Sequence, residues 1–112
     1  ERMRESFNVG SFALAGAEAA LADRAHLDHV RAINASERAW LVAELAKRGY
    51  ESLPSQTNFV LVDLGRDAAP LENHLFERGV IVRPMGGYGL PQTLRISVGS
   101  RAENERLLAA LP

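Results

Sequence analysis

The sequence predicts an α/β fold of the α+β, two-layer kind: a short, mainly antiparallel sheet covered by helices. Three observations predict it. The chain has 112 residues, a length that suits one domain able to bury a core without disulfides or metals. Its periodic stretches run in the order helix, helix, strand, helix, strand, strand, helix. The interval between Val82 and Leu94 suits an antiparallel pair joined by a wide loop.

Each element follows from local chemistry. "SFALAGAEAALAD" is alanine-rich and helical, with Ser11 as N-cap and Leu14, Ala17 and Leu21 on one face. Residues from about His26 to Arg48 read as a long helix with an apolar stripe of Leu27, Val30, Ile33, Trp40, Leu41 and Leu45. Asn34 with Glu37 resembles a capping box, which allows a break there, and Gly49 ends the helix. "NFVLVDL", Asn58 to Leu64, is a continuous apolar run of strand length, expected to be buried on both faces. "DAAPLENHLFERG" is a helix with Asp67 as cap, Pro70 in its first turn and Gly79 as its stop. Val80 to Val82 read as a short strand closed by Pro84. "LRISV" alternates, so Leu94, Ile96 and Val98 share one face while Arg95 and Ser97 share the other. Ser100 and Glu103 form a capping box for a last helix whose Leu107, Leu108 and Leu111 face inward.

Composition narrows the function classes. Apolar residues make up 46% and charged residues 24%, and the net charge is -1; no basic footprint for nucleic acid or membrane appears. No apolar run approaches a membrane span. There is no cysteine, which rules out disulfide and thiolate-metal scaffolds and fits a reducing, cytoplasmic setting. The chain opens on Glu1 and stops at "LLAALP", and it reads as a piece of a longer protein, one domain over residues 1–112 with 1–25 as a lead-in.

Two arginines carry the chemical signal. Arg95 lies opposite the apolar face of its strand and Arg83 at the exit of the neighbouring one. Their planar forks match carboxylate and phosphate, so two of them near one mouth would bind an anion; two solvated surface arginines are the plainer alternative. "MGGYG" between them is neither a Walker loop nor a dinucleotide fingerprint and reads as a flexible turn, from which Tyr88 either reaches a ligand or packs. Asn58 either points its amide into a cleft or merely begins a strand. His26, Asp28 and His29 lack a firm further ligand, and a solvated helix end is the default over a metal site. No nucleophile constellation stands out. Lys47, the only lysine, sits in a last helical turn where a cation favours the dipole.

"SFNVGSFA", "LPSQTNFVLVDL" and "GVIVRPMGGYGLPQTLRISVGSRAEN" resemble, in order, segments of the C-terminal part of the histidinol-phosphate aminotransferase family, over about Arg4 to Leu111. The resemblance implies the small C-terminal domain of a fold type I transferase that uses pyridoxal 5′-phosphate. It implies transfer of an amino group between histidinol phosphate and 2-oxoglutarate in histidine biosynthesis, by a homodimer. It places Arg95, in LRISVG, and Arg83, in VIVRP, at the anionic end of the substrate, with Asn58 and Tyr88 as further substrate-binding candidates. No residue of this chain is assigned to the cofactor, to a metal or to catalysis. The family's Schiff-base lysine lies in an upstream S-K-x-x-x-x-A-G-L-R segment that is absent here, so the piece is not expected to be active alone. The family's PFNVN also departs to Ser6-Phe7-Asn8-Val9-Gly10. An aromatic aminotransferase or a threonine-phosphate decarboxylase would share this domain. The alternatives outside the superfamily are a stand-alone small-molecule-binding α+β domain and a structural dimer-forming segment.

Overall fold

A computed structural model describes residues 9–112; Ser6, Phe7 and Asn8 of the first resembling segment lie outside the described residues. The order of elements is α1 (Ser11–Ala22), α2 (Arg24–Lys47), β1 (Glu51–Ser52), β2 (Phe59–Asp63), α3 (Ala69–Glu77), β3 (Arg83–Met85), a single 3-10 turn (Gly86–Tyr88), β4 (Leu90–Ser97) and α4 (Arg101–Ala110). The chain forms two compact units that divide within α2, between Arg31 and Ala32.

In the first unit, α1 is capped by the backbone rather than by a side chain. Gly10 holds the N-cap position and its carbonyl accepts from Leu14 N–H at 3.0 Å, so Ser11 is the first helical residue instead of the cap. None of its residues is buried, and Leu14 and Leu21 are exposed. Asp23 separates the helices; its Oδ1 accepts from His26 N–H at 2.9 Å at the start of α2.

The second unit is the expected two-layer body. Its four strands lie in the order β1-β2-β4-β3, every neighbouring pair antiparallel. Val60 and Val62 of β2 and Leu94 and Ile96 of β4 point to one face, where Leu41 and Leu45 of α2, Leu71 and Leu75 of α3, and Leu107 and Leu108 of α4 complete the core. The apolar stripe expected along α2 is therefore only half used: Leu27, Val30 and Ile33 are exposed. The helix runs unbroken through Asn34, whose amide donates to Thr57 O at 3.2 Å instead of capping a new start.

Three strand expectations change. The segment after Asn58 is buried on one face and half-buried on the other, not on both. A single covering layer of helices leaves Phe59 and Leu61 on the second face. The short strand is Arg83–Met85, not Val80–Val82. Pro84 does not close it, because β3 is the edge strand, where a missing N–H is tolerated. The wide loop is instead a tight one: the 3-10 turn is closed by Gly89 N–H donating to Gly86 O at 3.0 Å, with Gly89 at φ 77°. The two-residue β1 carries no sequence signal of its own and was not expected.

The end of β4 is pinned firmly. Buried Asn104 donates to Gly99 O and accepts from Gly99 N–H, each at 3.0 Å. Ser100 N–H and its hydroxyl both donate to Glu103 Oε2 at 2.7 Å, and the expected capping box is present. These bonds hold the Glu103 carboxyl below its usual range. Across the body, Arg101 grips Glu37 with a two-pronged contact, Nε–Oε2 at 3.0 Å and Nη2–Oε1 at 2.9 Å, while lying 3.8 Å from the centroid of the Trp40 ring. Asn104 donates to the same carboxylate at 3.2 Å.

Candidate functional site

The sheet face opposite the helices carries the arginines. In antiparallel pairing, residues directly opposite each other point to the same side. Arg83 of β3 stands opposite Arg95 of β4, and Arg95 in turn stands opposite Leu61 of β2. Leu61, Arg95 and Arg83 thus form one row across three strands, and both guanidinium groups rise from the same face. The sequence offered the two arginines as neighbours near one mouth; the register makes them a single rung.

The two are held differently. Arg95 is half-buried. Its guanidinium carbon lies 4.9 Å from the centroid of the Phe59 ring. Its Nε is shielded from solvent and has no hydrogen-bond partner among the described residues. Arg83 is exposed; its Nη2 donates to the Tyr88 hydroxyl at 3.3 Å, and its guanidinium carbon is 5.8 Å from that ring's centroid. The 3-10 turn returns Tyr88 beside β3, so "MGGYG" is a short ordered turn that presents an aromatic hydroxyl. Among the described residues, neither Arg83 nor Arg95 is in an ion pair, whereas Arg48 and Arg101 both are.

Like charges directly opposed across strands repel by a few tenths to about 1 kcal/mol. A bound anion reverses that sign, because two forks can share one phosphate or carboxylate. Beside the row, Leu53, Pro54, Ser55, Gln56 and Thr57 border a shallow hollow of about 170 Å³ floored by Phe59 and Leu61.

Asn58 stands at the start of β2, exposed, with its carbonyl accepting from Val98 N–H at 2.8 Å. That contact lies beyond the Phe59–Ser97 rung, three steps from the Leu61–Arg95 rung, so the register does not bring Asn58 to the arginine pair. Lys47 forms an ion pair with Glu44 at the end of α2. Among the described residues no group of three or more His, Cys, Asp or Glu is placed to hold a metal. Among the described residues no helix is long and apolar enough to cross a membrane. Phe59 was not singled out from sequence. The run is apolar throughout, so only the strand pairing, which sends Val60 and Val62 to the core, shows that positions 59 and 61 lie on the arginine face.

Comparison with known proteins identifies the family. The family description "Aminotransferase class I and II" matches residues 1–111. The chain is 48% identical over 110 residues to histidinol-phosphate aminotransferase 2 of Pseudomonas fluorescens, covering 98% of this chain and 30% of that protein. It is 50% identical over 110 residues to histidinol-phosphate aminotransferase 1 of Thiobacillus denitrificans, covering 98% and 28%. The chain thus spans under a third of the length of these curated relatives. The crystal structure of histidinol-phosphate aminotransferase from Sinorhizobium meliloti, in complex with pyridoxal 5′-phosphate, superposes with a TM-score of 0.87 at 36% identity, over 99% of this chain and 31% of that one. The chain belongs to the aminotransferase class I and II family.

Proposed function

We propose that this chain is the small C-terminal domain, with residues 1–25 leading in, of a pyridoxal 5′-phosphate-dependent aminotransferase acting on histidinol phosphate and 2-oxoglutarate. In this reading Arg95 and Arg83 bind the anionic end of the substrate. The observation that carries it is the Arg83–Arg95 rung: two like charges opposed on one sheet face, with no carboxylate paired to either among the described residues. A fold gains nothing from that arrangement unless an anion comes to it.

The chemistry of the rung suits both half-reactions. Histidinol phosphate ends in a phosphate, and glutamate and 2-oxoglutarate end in carboxylates; a guanidinium fork binds either group through paired N–H donors. Arg95, half-buried, supplies the directional contact. Arg83, exposed, adds charge and is steadied by the Tyr88 hydroxyl. Asn58, at the far end of β2, is the remaining candidate, offering an amide to a part of the substrate away from the anion.

The cofactor, when bound, supplies the electron sink that makes amino-group transfer feasible. Nothing on this chain fits its aldehyde: Lys47 is the only lysine, and its amine is engaged by Glu44. The chain therefore binds and orients substrate, and the amine that holds the cofactor belongs to another part of the protein. A homodimer in the cytoplasm, without nucleic-acid or membrane partners, completes the reading.

The test is a titration of the full-length protein, loaded with pyridoxal phosphate, followed by visible absorbance. Histidinol phosphate is expected to convert the bound-cofactor band to the amine form. Conversion by an aromatic amino acid, with none by histidinol phosphate, would move the assignment to another member of the superfamily. A protein that binds no cofactor would return the small-molecule-binding domain to first place.

A further inference from the structure

We infer that Phe59 is a positioning residue that presets the Arg95 fork for its anion while taking none of that fork's hydrogen-bond donors. The inference rests on the substrate-anion role proposed above for Arg95. It comes from the contrast between two guanidinium groups that both lie on aromatic rings.

Arg101 shows a guanidinium consumed by the fold. It lies 3.8 Å from the Trp40 centroid, and Glu37 takes its Nε and Nη2 donors. Its charge is paired and two of its three nitrogens are committed to that carboxylate, although the side chain stays partly exposed. Among the described residues, Arg95 is held by a ring and by no carboxylate. Phe59 pairs with Ser97, and Leu61 pairs with Arg95, so Phe59 is the diagonal neighbour of Arg95 on the same face, within reach of a long side chain. The 4.9 Å separation of the guanidinium carbon from the ring centroid is inside the range of a cation–π contact. A carboxylate in that place would neutralise the arginine and occupy its donors. A phenyl ring restricts the guanidinium without taking a hydrogen bond, and the Nε that has no partner among the described residues is consistent with that choice. Fixing the fork beforehand lowers the ordering cost of binding.

The test uses the full-length, cofactor-loaded enzyme and compares Phe59→Leu, Phe59→Tyr and Arg95→Ala. Phe59→Leu keeps an apolar side chain on the sheet but removes the ring's quadrupole. It is expected to raise the KM for the anionic amino donor about 3- to 30-fold, the scale of a partly desolvated cation–π contact, with a smaller change in kcat. Phe59→Tyr is expected to restore the wild-type KM. If Arg95→Ala raises KM and Phe59→Leu does not, the positioning role is wrong and the anion role stands. If Arg95→Ala leaves KM unchanged, the anion role itself fails. A readout independent of turnover and of variant folding is the NMR shift of the Arg95 Hε proton in the wild-type protein. A ring-current displacement from the ordinary arginine position is expected, and its absence would overturn the inference.

Discussion

Arg83 and Arg95 sit on one rung with no carboxylate paired to either among the described residues, and this has an energetic consequence that separates stability from function. Removing one charge relieves repulsion. Arg83→Thr, a β-favouring replacement on an edge strand, is expected to leave the protein as stable or more stable by up to about 1 kcal/mol. That gain should shrink with added salt, since exposed charges are screened. Thermal unfolding at low and high salt checks it; a clear loss of stability at both would show that Arg83 is a structural residue. The two residue types and the strand parity of Arg95 were legible in the sequence. The rung was not, because register between β3 and β4 depends on the turn and on the irregularity after Pro84. Phe59 was hidden for a related reason: its ring becomes informative only when β2 is known to lie beside β4.

At the scale of elements, helix bodies and their stops are legible in the sequence, while helix starts and the edges of the sheet are less so: Gly10 rather than Ser11 caps α1, and Ala68 rather than Asp67 caps α3. Gly49 and Gly79 end their helices at φ 81° and 71°, and the Ser100–Glu103 box opens α4, because these are local devices written in a few residues. The segment around Val80 misled because β-branched residues suggest a strand, while pairing with β4 begins only at Arg83. The long stripe of α2 overstated its burial, since periodicity tells which face is apolar but not how much of it finds a partner. The join between α2 and α4 was invisible, because Glu37 and Arg101 are far apart in sequence. Arg101 holds the Glu37 carboxyl below its usual range, first through its hydrogen bonds, with Asn104 assisting. A carboxyl lowered in the folded state adds stability that is present above its unfolded value and is lost as pH falls through the folded one. Glu37→Gln should therefore flatten part of the acid limb of a stability-versus-pH curve and leave the curve near neutrality the less changed in slope. Chemical denaturation across the acid range reads this directly; an unaltered acid limb would mean the clamp contributes nothing to folding.

For the whole molecule, the second unit is a platform with one sealed face and one chemical face. Helices α2, α3 and α4 bury the apolar side of the sheet, and the opposite side presents Phe59, Leu61, Arg95 and Arg83. Placing the two arginines on a sheet rather than on a loop fixes their spacing, as the proposed anion role requires. The chain matches its aminotransferase relatives along almost all of its length while spanning under a third of theirs, so the reaction tested must be that of the full-length protein. The most direct measurement is the preference for histidinol phosphate over histidinol, as a ratio of kcat/KM values, in the wild-type enzyme and in Arg95→Ala. Losing one partner of a close charge pair in a closed site costs about 2–5 kcal/mol, so the preference is expected to fall by at least about 30-fold in the variant, mostly through the phosphorylated substrate. An equal loss toward both substrates, or an unchanged ratio, would contradict the claim that this rung of the sheet reads the substrate's anion.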